Sequence, residues 1–187
     1  MKFRPILIVA GEPNSIFFEI FLKAISSKRF KSPIIIIGSK KLFKLQMKKL
    51  RFKKKFNIIN ENDLGRIKLN NKFINLIDVY YNTNVAFEKI SKKSNKYIEN
   101  SFKIAFKILK KGITNKFING PVSKKNFLGN EFLGITEYIS KKFLIRKNAM
   151  LIYNEELSVC PITTHLPLKQ VPNQIKQKNI TEKISLI

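Results

Sequence analysis

The sequence is poor in acidic residues, cysteine and histidine, and it contains no tryptophan. It has 12 Asp and Glu against 37 Lys and Arg, a formal net charge of +25. The single cysteine, Cys160, cannot form a disulfide within the chain, so a disulfide framework is excluded and the cytoplasm is the expected compartment. The single histidine and the scattered carboxylates form no cluster at metal-ligand spacing, so any metal site is incomplete in this chain.

Long apolar runs and the common catalytic motifs are also absent. No stretch approaches the roughly 18 to 20 apolar residues that span a bilayer, and no signal-peptide pattern occurs, so membrane insertion is not expected. The sequence has no dinucleotide-binding glycine fingerprint, no P-loop, no CxxC pair and no serine nucleophile elbow. These absences exclude a simple Rossmann dehydrogenase, a P-loop enzyme and a thiol redox protein.

Apolar residues make up 44% of the chain, enough for a folded core. The runs Pro5–Ala10 and Pro33–Ile37 are typical of strands buried on both faces of a parallel sheet. Ser15 and Ser39 can each begin a helix, and Phe56–Ile59 is a plausible third strand. The turns of the first helix are marked by Ile16, Ile20 and Ala24. This β-α-β-α-β order predicts an α/β fold.

The pattern is weaker after residue 60. Residues 60–84 contain short apolar pieces between asparagines, which suggests short strands and loops. Apolar residues then recur with helical periodicity between Ser94 and Gly112, which predicts a long amphipathic helix. Lys116–Asn119 is a short strand, and Ala149–Tyr153 and Leu157–Thr163 are expected to form a strand pair. No linker or clean domain boundary is visible.

The strongest local signal is the segment Thr163-Thr164-His165-Leu166-Pro167-Leu168. It places the only histidine just past a strand that we expect to be buried, and ligands gather at the carboxyl ends of strands in open α/β sheets. A neutral imidazole there could bind a metal or act as a base, although a solvated loop histidine is the simpler alternative.

Two further segments are weak indicators of function on their own. Lys124, in Gly120-Pro121-Val122-Ser123-Lys124, could neutralise a phosphate or carboxylate, but Gly-Pro after a strand is most often only a turn. Gly11-Glu12-Pro13 follows the first strand, at the position that dinucleotide-binding folds use for phosphate.

Read in order, these three segments and Gly134-Ile135-Thr136-Glu137 resemble the 4-hydroxythreonine-4-phosphate dehydrogenase family of vitamin B6 biosynthesis. The resemblance implies an isocitrate/isopropylmalate-dehydrogenase-like, three-layer α/β/α fold. It also implies a homodimer that oxidises 4-phosphooxy-L-threonine for pyridoxal phosphate biosynthesis, using NAD or NADP and a divalent metal (Zn, Mg or Co) held by three histidines.

The resemblance assigns roles to few residues of this chain. His165 matches the first of the three metal ligands, and Thr136 matches one of two adjacent contacts to the substrate phosphate. Ile135 stands where the family has a histidine, and Lys124 is a weaker candidate for substrate binding. Catalytic and cofactor-binding residues are not identified. After Gly11-Glu12-Pro13 the family favours small residues, whereas Phe17 and Phe18 here would crowd a ligand.

The resemblance further implies that residues 1–187 are the amino-terminal half of a dehydrogenase of roughly 330 residues. The other two metal histidines and most cofactor contacts would belong to the carboxyl-terminal half, which this sequence does not contain. We therefore expect the chain alone to be inactive or incomplete, with a second copy or the missing half as its partner.

The alternative is a non-catalytic, basic nucleic-acid-binding or interaction protein that uses the Lys-rich stretches 40–55 and 89–111. The abundance of Lys, Asn, Ile and Phe is also what AT-rich coding produces, so a nucleic-acid partner is not the favoured interpretation. Phe43, Phe52 and Phe56 are spaced as in core faces rather than as in a base-stacking platform.

Overall fold

A computed structural model describes residues 3–129 and 131–187 of the chain. The chain divides into two units, the first ending at residue 130 and the second beginning at residue 131. The sequence shows no linker at this point, so the division was not predicted. The first unit holds the sheet, and the second holds the segments that resemble the phosphate and metal sites.

Five parallel strands form one sheet in the order β3-β4-β2-β1-β5. The strands are β1 Ile6–Val9, β2 Ile34–Gly38, β3 Phe56–Ile58, β4 Ile74–Asp78 and β5 Lys116–Asn119. The helices of this unit are α1 Phe17–Ser27, α2 Lys40–Lys49 and α3 Asn95–Lys110. The predicted α/β architecture is confirmed, and β4, from the segment with the weak pattern, is an inner strand.

The strand order explains why helices cover both faces of the sheet. The chain moves from β1 to β2 and on to β3 in one direction, whereas it moves from β4 to β5 in the other. Crossovers between parallel strands are right-handed, so α1 and α2 lie on one face and α3 lies on the opposite face. This is the three-layer α/β/α arrangement.

Aromatic side chains fill the core on both faces. On the α1 and α2 side, the Phe18 and Phe43 rings lie 4.9 Å apart and those of Phe43 and Phe56 lie 5.5 Å apart. On the α3 side, Phe102 contacts Phe117 and Phe127. Because Phe43 is fully buried, it is a core residue and is not available to stack on a base.

The structure corrects the predicted face of α1. Ile16 and Ile20 are 61% and 54% exposed, and the buried residues are Phe18, Phe21 and Leu22. Apolar residues occur on nearly every side of this helix, so spacing alone could not fix which face is buried. The larger side chains remove more apolar area from water, which favours the observed orientation.

The second unit contains two helices, α4 Ile135–Phe143 and α5 Gln177–Ile184, joined by irregular chain with short 3-10 turns. The two segments predicted to form a strand pair do meet, but only through one antiparallel bridge between Ile152 and Val159, and neither forms a strand. Both side chains are about half exposed. An isolated hairpin without a covering layer gains too little burial to extend.

Within the described part of the chain, no helix has the length and apolar character needed to cross a membrane.

Replacing Gly120 by alanine tests the close backbone packing of the first unit. A Cβ at Gly120 would lie 2.2 Å from the Ala10 carbonyl oxygen, whereas a Cβ at Gly65 would have no atom within 4 Å. We expect Gly120→Ala to lower the free energy of unfolding by more than about 2 kcal/mol and Gly65→Ala to change it by less than about 0.5 kcal/mol. Urea unfolding of both variants measures the difference, and equal effects would contradict the packing described.

Candidate functional site

The loops after β1 and β5 lie where the strand order reverses, the position at which ligands bind in open α/β sheets. Here the two loops pack backbone against backbone. The Glu12 N–H donates to the Pro121 carbonyl at 2.7 Å, and the Gly120 N–H donates to the Val9 carbonyl at 2.7 Å. Gly11 has φ +74°, and a Cβ on it would lie 2.3 Å from the Pro121 oxygen. Gly11 and Gly120 therefore allow the backbones of the two loops to come into contact.

Phe17 occupies the space beside this contact. A ring carbon lies 2.9 Å from where a Cβ on Gly120 would stand, so Phe17 lines the loop, and the expectation that it crowds a ligand stays a prediction. Phe18 points into the core and is 2% exposed. Together with the nearby carboxylate of Glu12, Phe17 makes the β1 loop unsuitable for binding a phosphate through its backbone.

A polar cluster, formed by Glu12, Asn14, Glu88 and Ser94, lies behind this loop, and of these Glu12 and Ser94 are buried while Asn14 and Glu88 are partly exposed. Glu12 is 3% exposed, and its carboxylate accepts from the Ser94 hydroxyl at 2.8 Å and from the Asn14 N–H at 3.3 Å. The Asn14 side-chain oxygen accepts from the Glu88 N–H at 2.9 Å. The cluster joins the β1 loop to the residue before α3 and to the segment leading to it.

Two tyrosines extend this polar region towards β2. The Asn14 amide donates to the Tyr81 hydroxyl, and the Tyr97 hydroxyl accepts from the Ser39 N–H at 3.2 Å. Burial raises the pKa of both phenols, Tyr97 the more strongly because it is fully enclosed. Both remain protonated at neutral pH, so they act as structural hydrogen-bonding groups rather than as bases.

Gln46 is a further buried polar residue that the sequence analysis did not single out. Its amide nitrogen donates to the carbonyls of Pro13 and Ala86, at 2.8 and 2.7 Å. Its side-chain oxygen is buried without a partner among the described residues. One signal was available, because Gln46 lies four residues after Leu42 on the apolar face of α2. Glu12 and Ser94 gave no such signal, since their contact spans 82 positions.

Lys124 lies in the first unit, at the start of a π-helical turn, Lys124–Leu128. Ser123 caps this turn by accepting from the Asn126 N–H at 3.2 Å. The Lys124 side chain is exposed and forms no ion pair with another residue that the structure describes. It is free to meet an anion, but no other predicted site residue belongs to its unit.

Ile135 and Thr136 form the first turn of α4 in the second unit. The Thr136 hydroxyl has no hydrogen-bond partner in the described part of the chain, and the unpaired N–H groups at a helix N-terminus attract anions. The Glu137 carboxylate also lies there, 2.9 Å from the position of a Cβ on Gly134. Ile135 is half-buried and adds no hydrogen-bonding group.

His165 also belongs to the second unit, in an exposed bend with φ +56°. The expected buried strand before it is absent, so its predicted position past such a strand is wrong. No hydrogen bond joins His165 to Thr136, and among residues 3–129 and 131–187 no group of three or more His, Cys, Asp or Glu could hold a metal ion. The residues present therefore do not fit a metal within this chain alone.

Comparison with known proteins identifies the family. The model of the pyridoxal phosphate biosynthetic protein PdxA family matches residues 29–187, which include the second unit and most of the first. The chain belongs to this family. The PdxA match includes the loop at Gly120, the first turn of α4 and the segment around His165.

Curated relatives agree with this assignment. The chain is 34% identical over 188 residues to the 4-hydroxythreonine-4-phosphate dehydrogenase of Sulfurihydrogenibium sp., covering 96% of this chain and 55% of that protein. It is 31% identical over 192 residues to the enzyme of the same name from Aquifex aeolicus, covering 98% and 57%. The chain thus spans about half the length of the curated PdxA relatives it matches.

Solved structures show the same fold. A 4-hydroxythreonine-4-phosphate dehydrogenase from Burkholderia phymatum superposes with a TM-score of 0.81 at 17% identity, over 98% of this chain and 56% of that one. The enzyme from Klebsiella pneumoniae gives 0.81 at 20% identity, over 97% and 57%. The expected dehydrogenase-like α/β fold is confirmed for this PdxA family member.

Replacing Tyr97 by phenylalanine tests the buried phenol through the pH dependence of stability. The folded chain keeps the Tyr97 proton where the unfolded chain loses it, so this residue makes stability fall as pH rises above about 10. We expect Tyr97→Phe to cost about 1–2 kcal/mol at neutral pH, since the Ser39 N–H loses its acceptor, and to make the alkaline decline shallower.

The measurement is urea unfolding at several alkaline pH values. Tyr80→Phe is the matched control, because Tyr80 is 80% exposed, and its alkaline slope should equal that of the unaltered chain. An identical slope for Tyr97→Phe would show that the Tyr97 phenol is not shielded.

Proposed function

We propose that this chain supplies the amino-terminal part of an NAD(P)- and divalent-metal-dependent enzyme that oxidises 4-phosphooxy-L-threonine in pyridoxal phosphate biosynthesis. The observation that carries the proposal is the PdxA match over residues 29–187, together with the segments at Thr136 and His165. The rest of the site would come from the part of the relatives that this chain does not span.

Thr136 is the residue we assign to the substrate phosphate. Its hydroxyl is unpaired among the described residues and stands in the first turn of α4, where backbone N–H groups and the helix dipole favour an anion. Ile135 removes one of the two side-chain contacts that the family uses. Substrate binding should therefore be weaker than in a relative with histidine at this position.

His165 is the residue we assign to the metal, as one of three histidine ligands. It is exposed, and two other histidines would have to come from outside this chain, because this sequence has only one. Lys124 is a secondary candidate for neutralising the substrate, since its side chain is exposed and unpaired within the described part of the chain. The described residues support no further step of the reaction.

The second unit exposes large apolar side chains, which favours the proposal that it binds another protein segment or chain. Its most exposed members are Leu144, Tyr153, Leu157, Leu168 and Ile184, each between 69% and 88% exposed. Exposed apolar side chains mark a protein–protein interface where they form a contiguous patch. We assign these side chains to contacts with the part of the relatives that this chain does not span, or with a second copy in a homodimer, and we place the complex in the cytoplasm.

The test is reconstitution with the carboxyl-terminal portion of the Sulfurihydrogenibium relative, beginning where its match to this chain ends. NADH or NADPH formation from 4-phosphooxy-L-threonine is followed with Zn²⁺, Mg²⁺ or Co²⁺. We expect no turnover by the chain alone, turnover by the mixture, and its loss on His165→Ala. Turnover by the chain alone that disappears on His165→Ala would contradict the need for the second half.

Variants of the mixture test the phosphate contact. Thr136→Val removes one hydrogen bond to a charged group and should raise KM about tenfold, whereas Ile135→His adds a donor and should lower KM by a similar factor. Thr181→Val is the matched control, because the Thr181 hydroxyl only bonds to the Gln177 carbonyl on an exposed helix, and KM should not change. An unchanged KM in Thr136→Val would refute the assignment.

A further inference from the structure

A cavity of about 570 Å³ opens at the amino-terminal edge of the sheet, the edge opposite the Gly11 and Gly120 loops. Its walls come from the end of α1 and the segment after it, from the residues before β3, and from the residues before β4. This volume lies in the range of sites for small organic ligands, roughly 300–1,000 Å³. None of the residues assigned to the substrate or metal lines it.

The lining of this cavity is strongly basic. Five of its twelve lining residues carry positive charge, whereas twelve residues with the chain's proportion of 37 in 187 would include about two. None of the described lining residues is acidic. The basic residues are Lys28, Arg29, Lys54, Lys55 and Lys72. The concentration of charge exceeds what the overall composition explains.

These charges lack carboxylate partners. The ion pairs of the described residues all lie elsewhere, so no carboxylate among them pairs with any of the five cations. Lys28 and Arg29 follow α1, where cations complement the end of a helix, and alone they would indicate nothing. Lys54, Lys55 and Lys72 come from two other segments, so the convergence needs a separate explanation. A bound anion would supply the counter-charge that the described carboxylates do not.

Aromatic rings lie among the cations. Phe21 is buried, whereas Phe30 and Phe73 are 39% and 37% exposed, and both rings line the same cavity. Exposed rings next to positive charge suit a planar aromatic group that carries phosphate, because the ring can stack while the cations hold the phosphate.

The wall of the cavity is held in place by Asn71. Its amide nitrogen donates to the carbonyls of Phe30 and Ser32, both at 2.8 Å, and its oxygen accepts from the Ile34 N–H at 3.0 Å. These bonds join the segment after α1 to the segment before β4. The site is therefore preformed, which lowers the entropy lost when a ligand binds.

We propose that this cavity binds a small phosphorylated aromatic ligand of the nucleoside diphosphate class. Two or three negative charges on the diphosphate would match the uncompensated cations, with Arg29 offering a planar fork to the phosphate oxygens. A bounded cavity with two partly exposed rings favours one small molecule over a nucleic-acid strand, which needs a continuous groove. The inference does not depend on the proposed dehydrogenase function.

Isothermal titration of the purified chain with ADP tests the proposal, with pyrophosphate and adenosine titrated separately. We expect one ADP per chain, and weaker binding of each of the two fragments. The triple variant Arg29→Gln, Lys55→Gln, Lys72→Gln should bind ADP at least about tenfold more weakly. The matched control, Lys48→Gln, Lys49→Gln, Lys111→Gln, removes the same charge from exposed positions outside the cavity and should stay within about twofold.

A second set of variants tests the role of the aromatic rings, and each variant is checked for correct folding. Phe30→Leu with Phe73→Leu should weaken ADP binding but leave pyrophosphate binding unchanged. The single variant Lys72→Glu should also weaken ADP binding, and circular dichroism with the urea midpoint confirms that each variant is folded.

Four results would overturn the proposal. The first is that ADP does not bind at millimolar concentration, and the second is that both triple variants weaken ADP binding equally. The third is that pyrophosphate binds as tightly as ADP. The fourth is that an oligothymidine displaces ADP and that both triple variants weaken the binding of this oligothymidine equally. The last result would identify a general nucleic-acid surface instead.

Discussion

The close approach of the Gly11 and Gly120 backbones is the constraint on which the first unit depends. Neither position has room for a Cβ, because the carbonyls of Pro121 and Ala10 lie within about 2.3 Å of where it would stand. This contact fixes β1 beside β5 and closes the crevice at the point where strand order reverses. It also places Glu12 where its carboxylate accepts a hydrogen bond from Ser94, the residue before α3, so the contact links the helix to the two strands.

Much of the fold followed from local pattern, and the exceptions have identifiable causes. Continuous apolar runs predicted β1 and β2, and helical periodicity predicted α3. The strand β4 was hard to assign because it contains a buried Asn75, whose amide donates to the carbonyls of Ile34 and Asn70. The strand pair predicted around Ile152 did not form, although its sequence has the apolar alternation of a strand, because no layer of described residues covers it.

The sequence predicted the short motifs of the candidate site, but not the structure around them. Thr136 and His165 could be proposed because each belongs to a short recognisable segment, and both segments lie within the range of the PdxA match. Their surroundings could not be predicted, because an exposed bend at His165 and a helix start at Thr136 depend on tertiary packing. The Glu12 cluster and the basic cavity at Lys72 join segments far apart in sequence, so no local pattern could reveal them.

This PdxA family chain has an α/β fold, and we propose that it carries only part of a metal site. Titration with Co²⁺, followed by its visible absorption, tests this most directly, because bound histidine changes the colour of the ion. We predict no saturable one-to-one binding to the chain alone and no difference between the unaltered chain and His165→Ala. Stoichiometric binding that is lost on His165→Ala would contradict the claim, since it would show that this chain completes the site by itself.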